Sequence, residues 1–204
     1  MTDAVPLFDS AFDDDGWSMY ATRVPSSNCD NRPAGVIPEL LVIHNISLPP
    51  GQFGGDSIAR FFCNQLDCNA HPYFSLLREL RVSAHFLIQR TGTVLQFVPV
   101  QQRAWHAGVS AFAGRSRCND FSIGIELEGS DFVPFSADQY RALAALTRQL
   151  QRRYPLSDVA GHQHIAPGRK TDPGPFFDWR HYRELLDAGV SSLDSVLPLR
   201  FPNN

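Results

Sequence analysis

Leu40-Leu41-Val42-Ile43-His44-Asn45-Ile46 is apolar on both faces over most of its length and lies between Pro38 and Pro49. Such a run predicts a central strand buried on both sides, with His44 carried near its end. Phe121 to Glu128 alternates instead. Phe121, Ile123, Ile125 and Leu127 fall on one face, and Ser122, Gly124, Glu126 and Glu128 on the other, which predicts a strand presenting a polar face. His85 to Arg90 and Val94 to Val98 flank Thr91-Gly92-Thr93, a hairpin signature with glycine at the turn. Ser57 to Cys63 suits a short helix, after an obligate loop from Leu48 to Gly55.

Further on, the period changes to that of a helix. Ser136 and Gln139 match a capping box, and Tyr140, Leu143, Leu146, Leu150 and Tyr154 form one stripe that Pro155 stops. A second helix is expected from an Asp178 cap to about Asp187, ended by Gly189, and the chain beyond Ser191 is weakly patterned. Strands come first and covering helices follow, so the expected class is a single α+β or mixed α/β domain.

The 204 residues are ample for one core, and the net charge of −3 with no Lys/Arg block argues against a general nucleic-acid binder. The N-terminus has no basic start or apolar stretch and carries Asp13-Asp14-Asp15, and no later segment is long enough to span a bilayer. The expectation is a cytoplasmic protein whose Cys29, Cys63, Cys68 and Cys118 are reduced thiols.

Chemistry concentrates in the run from Gly161 to Pro175. It sets His162, His164, Lys170 and Asp172 among glycines and prolines, which predicts a shaped loop in place of a helix or regular strand. His44 alone reads as a buried, satisfied histidine, and Asp172 before Pro173 as a turn residue. Together with His162 they form a set of two imidazoles and one carboxylate, which leaves the fourth position of a tetrahedral zinc open for water. Such a site brings the pKa of its water down toward ~7. An amide is a poor electrophile, so a proton shuttle and a cation for the oxyanion are also needed. Glu126 is the candidate base and Lys170 the candidate cation. The reading is a zinc amidase. A thiol hydrolase using Cys118 is the weaker reading, since Cys118 lies in no nucleophile motif.

Several segments carry a family resemblance: Val42 to Gly51, Arg81-Val82-Ser83-Ala84-His85, Arg103 to Gly108, Cys118 to Gly129, and Lys170-Thr171-Asp172-Pro173-Gly174-Pro175. They resemble the AmpD-type 1,6-anhydro-N-acetylmuramyl-L-alanine amidases of N-acetylmuramoyl-L-alanine amidase family 2. The resemblance runs from about Trp17 to Trp179. It implies the fold shared with phage T7 lysozyme and peptidoglycan recognition proteins, a central mixed β-sheet flanked by helices. Residues 1–16 would then be an extension, 17–190 the zinc amidase domain and 191–204 a tail. The resemblance implies zinc on His44, His162 and Asp172, with Glu126 and Lys170 as the catalytic pair. Asn45, Arg81, Trp105, His106 and Arg117 would meet the substrate, an anhydromuropeptide with an anionic peptide that arginines suit. The implied role is cytoplasmic peptidoglycan recycling linked to β-lactamase regulation, with no protein partner, nucleic acid or membrane required. Where the family often has His-Cys-Asn, this chain has His162-Gln163-His164. His162 follows Gly161 in the family's Gly-His pattern and is taken as the ligand. The alternative function is a non-catalytic muropeptide-binding module of the same fold.

Overall fold

The computed structural model describes residues 11–188 and 198–202. In chain order they form β1 (Thr22–Arg23), β2 (Cys29–Asn31), β3 (Leu40–Ile46), α1 (Ser57–Phe62), β4 (Phe86–Ile88), β5 (Val94–Gln96), β6 (Gln102–Ala104), β7 (Ala111–Phe112), β8 (Arg115–Ser116), β9 (Ser122–Glu128), α2 (Ala137–Arg153), β10 (Asp158–Gly161), α3 (His162–Ile165) and α4 (Trp179–Ala188). Six strands make one mixed sheet in the order β1-β5-β4-β9-β3-β10. Only the β4–β5 hairpin within it is antiparallel. β9 and β3 hold the middle, which is why both are buried almost throughout.

One face of this sheet supplies Leu41, Ile43, Phe86, Ile88, Ile123, Ile125 and Leu127. They pack beneath Leu143, Leu146 and Leu150 of α2 and Tyr182 and Leu186 of α4. Each such side chain, fully buried, contributes roughly 1.5–3 kcal/mol. The capping box forms as the sequence predicts: Gln139 N–H donates to Ser136 Oγ, and Ser136 N–H to Gln139 Oε1. Asp178 caps α4 by accepting from His181 N–H at 2.8 Å. Gly189, the expected stop of that helix, lies outside the described residues.

Two expectations need correction. Strands do not all precede helices: α2 connects β9 to β10, which returns parallel to β3 at the sheet edge. The run from Gly161 is also not all loop. Gly161 ends β10, and His162–Ile165 makes one α-helical turn, since the sequence has no glycine or proline between Gly161 and Pro167. His164 Nδ1 accepts the Gly161 N–H at 2.8 Å and closes that turn.

The described residues before Trp17 pack into the same core, with Ala11 and Phe12 buried and the Phe12 ring 6.3 Å from Tyr154. Near the other end, Arg200 pairs with Asp158, and Phe201 meets Trp179 and Tyr182 edge-on. Among the described residues no helix is long and apolar enough to cross a membrane.

Candidate metal centre

The sheet face away from α2 and α4 carries the chemistry. His44 of β3 is paired in register with Glu126 of β9, so both side chains leave the same face side by side. Gly161 of β10 pairs with Ile43, which brings the next residue, His162, level with His44. Three parallel strands therefore present their carboxyl ends to one place, where open α/β sheets bind ligands.

His44 Nδ1 lies 3.0 Å from His162 Nδ1 and 2.9 Å from Asp172 Oδ2, and His162 Nδ1 lies 3.1 Å from that same oxygen. The ligand atoms of the three residues all fall within 4.8 Å of one another. Both histidines are buried, and burial holds the His44 ring neutral, with its pKa pushed down to about 4. The second nitrogen of His162, Nε2, faces the Ala107 carbonyl at 3.1 Å. A carbonyl only accepts, so Nε2 carries a proton, and in the neutral tautomer Nδ1 is bare. A bare nitrogen facing a carboxylate oxygen at hydrogen-bond distance is what a cation would satisfy. The donor set suits zinc, with one position left open.

Local packing fixes Asp172 beside His162. The Gln163 N–H donates to the Asp172 carbonyl at 2.9 Å. A Cβ on Gly161 would lie 2.6 Å from Pro173 Cδ, so the two halves of the segment close only over a glycine. Asn45 Nδ2 ties the segment to the sheet through Asp131 Oδ1 at 2.7 Å and the Pro173 carbonyl at 3.0 Å. His164, its Nδ1 spent on Gly161, stands against Trp179 with ring centroids 5.6 Å apart, away from the three ligand atoms.

A cleft of about 660 Å³ opens over the centre, lined by His44, Asn45, His106, Glu126, His162, Lys170 and Asp172, with Leu48, Tyr73, Leu80 and Phe132 among its apolar walls. Glu126 Oε2 is buried there without a hydrogen-bond partner. Burial first, and the Asp172 charge second, hold its carboxyl well above the ordinary range, with Lys170 opposing them. A carboxyl so placed can exchange a proton with a group brought into the cleft. Another hollow of about 860 Å³, lined by Phe135, Phe176, Trp179 and His181, contains none of the three candidate ligands.

The structure thus gathers His44, Asn45, His106, Glu126, His162, Lys170 and Asp172, and leaves Arg81, Trp105 and Arg117 outside the cleft lining. Arg81 is exposed and donates to the Arg78 and Leu80 carbonyls. Arg117 is exposed and pairs with Asp120 at 3.2 Å, and the half-buried Trp105 donates its backbone N–H to Ser83 Oγ at 3.1 Å. Cys118 is buried, and burial pushes its thiol up, which disfavours a nucleophile. The four cysteines are free thiols. Arg169 escaped the sequence reading. Its Nη2 donates to the Ala107 and Val109 carbonyls at 2.8 and 2.6 Å, and its side chain lines the cleft. Only its position beside Lys170 hinted at this.

Comparison with known proteins agrees with the geometry. The pattern that defines the N-acetylmuramoyl-L-alanine amidase family matches residues 33–175. The chain is 57% identical over 175 residues to the 1,6-anhydro-N-acetylmuramyl-L-alanine amidase AmpD of Citrobacter freundii, covering 85% of this chain and 94% of that protein. It superposes on the crystal structure of an Se-Met AmpD derivative with a TM-score of 0.83 and 56% identity, over 85% of this chain and 98% of the other. The amidase AmiD of Escherichia coli, in complex with the substrate anhydro-N-acetylmuramic acid-L-Ala-D-γ-Glu-L-Lys, matches with a TM-score of 0.53 and 32% identity, over 76% and 60% of the two chains. Matched over most of its length, with the ligand set and the buried carboxyl together at its strand ends, the chain belongs to the N-acetylmuramoyl-L-alanine amidase family.

Proposed function

We propose that this protein hydrolyses the amide bond between 1,6-anhydro-N-acetylmuramic acid and L-alanine in anhydromuropeptides, as a zinc enzyme of cytoplasmic peptidoglycan recycling. The observation that carries the reading is Glu126 Oε2, buried and unpartnered beside two imidazoles and a carboxylate whose ligand atoms converge. The names of the relatives support the anhydro sugar as substrate. A non-catalytic module would have no use for that carboxyl.

His44 Nδ1, His162 Nδ1 and Asp172 Oδ2 would hold the zinc. When bound, it supplies Lewis acidity that makes water a nucleophile near neutral pH and polarises the scissile carbonyl. Glu126 takes the proton of the attacking water on Oε2 and delivers it to the departing alanine nitrogen. Lys170, at the cleft wall, balances the negative charge that grows on the carbonyl oxygen. The apolar wall of Leu48, Tyr73, Leu80 and Phe132 offers the sugar a surface to pack against. Arg81, Trp105, Arg117 and the carbonyl side of Asn45 are proposed contacts to the substrate, the arginines to the carboxylates of the stem peptide.

Replacing Glu126 by glutamine tests the reading. The variant should keep its zinc and lose about 10²–10⁴-fold in kcat, the usual worth of a positioned acid–base group. Near-normal turnover would remove Glu126 from the mechanism.

A further inference from the structure

We propose that His106 is a positioning residue for the metal centre: it accepts the Nε2 proton of His44 and so fixes the His44 tautomer whose Nδ1 is bare toward His162 and Asp172. This rests on the zinc reading above and assigns His106 a role other than touching substrate.

The argument follows the protons. Ser122 Oγ lies 2.6 Å from the Cys118 carbonyl, which only accepts, so the hydroxyl proton is committed there. That leaves Ser122 Oγ as an acceptor toward His106 Nε2 at 3.2 Å, so His106 carries its proton on Nε2. With that proton on Nε2, the other nitrogen of the neutral imidazole, Nδ1, is bare and can only accept. His106 Nδ1 stands 2.9 Å from His44 Nε2, which must then be the protonated nitrogen of His44. The remaining nitrogen, Nδ1, is the one that faces Asp172.

The surroundings hold His106 in that place. Its backbone N–H and that of Ala107 both donate to Asn119 Oδ1, at 3.2 and 2.8 Å. Its ring lies over Gly124, where an added Cβ would sit 2.4 Å from His106 Cγ. It meets His44 edge-on, with centroids 5.1 Å apart and planes at 86°. The adjacent Ala107 carbonyl orients the second ligand ring through His162 Nε2. Residues 106 and 107 thus set both imidazoles, one by a side chain and one by the backbone. Partners of this kind typically carry about 10–100-fold in metal affinity.

The test is a zinc titration against a chromophoric chelator on the full chain, comparing wild type with His106→Leu, His106→Asn and Ser122→Ala. His106→Leu should weaken zinc binding by about 10–100-fold. His106→Asn should restore most of it, because its amide oxygen can take the place of Nδ1. Ser122→Ala should fall between them. A purely space-filling role predicts no rescue by asparagine, and equal affinity in wild type and leucine variant would overturn the proposal. Should His106→Leu not fold, ¹⁵N NMR of the zinc-loaded wild type decides: protons on Nε2 of both His44 and His106 are expected, and a His106 protonated on Nδ1 contradicts the chain. Wild type that binds no zinc would remove the metal reading and this inference with it. Wild type that binds zinc no better than the leucine variant removes the inference alone.

Discussion

His44 and Glu126 are register partners on the parallel strands β3 and β9, so a single strand pairing sets a candidate metal ligand and the carboxyl proposed as proton carrier side by side. A slip of one residue would turn Glu126 into the core beneath α2, because strand side chains alternate between faces. The same register places Val42 opposite Gly124, whose missing side chain admits the His106 ring. Gly124→Ala is therefore expected to overpack the site and cost about 1–3 kcal/mol. Chemical denaturation measures this, and unchanged stability would show that the ring yields at no cost.

Asp172 is the one carboxylate among the three candidate ligands whose atoms converge. Asp172→Ala should lose more zinc affinity than the roughly 10–100-fold typical of an outer partner, and activity should fall with it. Metal content after dialysis reads this directly. Full zinc occupancy in the variant would remove Asp172 from the ligand set.

Lys170 lines the cleft together with the three candidate ligands. Lys170→Ala should keep zinc and reduce kcat by about 10²–10³-fold, the range for removing one oxyanion donor. A change confined to KM would make Lys170 a substrate anchor instead.

His85 gives a pH dependence away from the ligands. Its Nδ1 accepts the Gly124 N–H at 3.0 Å, its Nε2 faces the Gln102 carbonyl, and the Arg32 guanidinium lies 3.1 Å away. Burial, then Arg32, hold the ring well below its ordinary 6.5. The unfolded chain therefore takes up a proton below that pH while the folded one does not. Stability contributed by the neutral ring is full above 6.5 and is lost as pH falls below it, at up to about 1.4 kcal/mol per pH unit for one proton. Urea titrations at pH 7.5 and 5.5 should show the decline, and a smaller one in His85→Asn. Equal declines in the two proteins would place the effect elsewhere.

Long, strongly periodic segments were legible in the sequence: β3 from its apolar run, β9 from its alternation, and α2 from its stripe and capping box. β10 was not, because four residues bearing Asp158 and Gly161 have too little pattern, and their place is set by pairing with β3. The polar face of β9 was visible, but its burial was not. Glu128 is buried there because its oxygens accept the Gly54 and Arg90 N–H groups, contacts far off in sequence. The triad could be read because its chemistry resides in side chains. The supports could not, since the Ala107 and Cys118 carbonyls that orient His162 and Ser122 belong to the backbone, which residue types do not announce.

The most direct test of the central claim is mass spectrometry of a synthetic anhydroMurNAc-tripeptide incubated with metal-replete, chelated and zinc-restored protein. The account predicts release of free tripeptide that stops on chelation and returns with zinc. An intact substrate in the presence of protein with bound zinc would contradict it and favour a muropeptide-binding module.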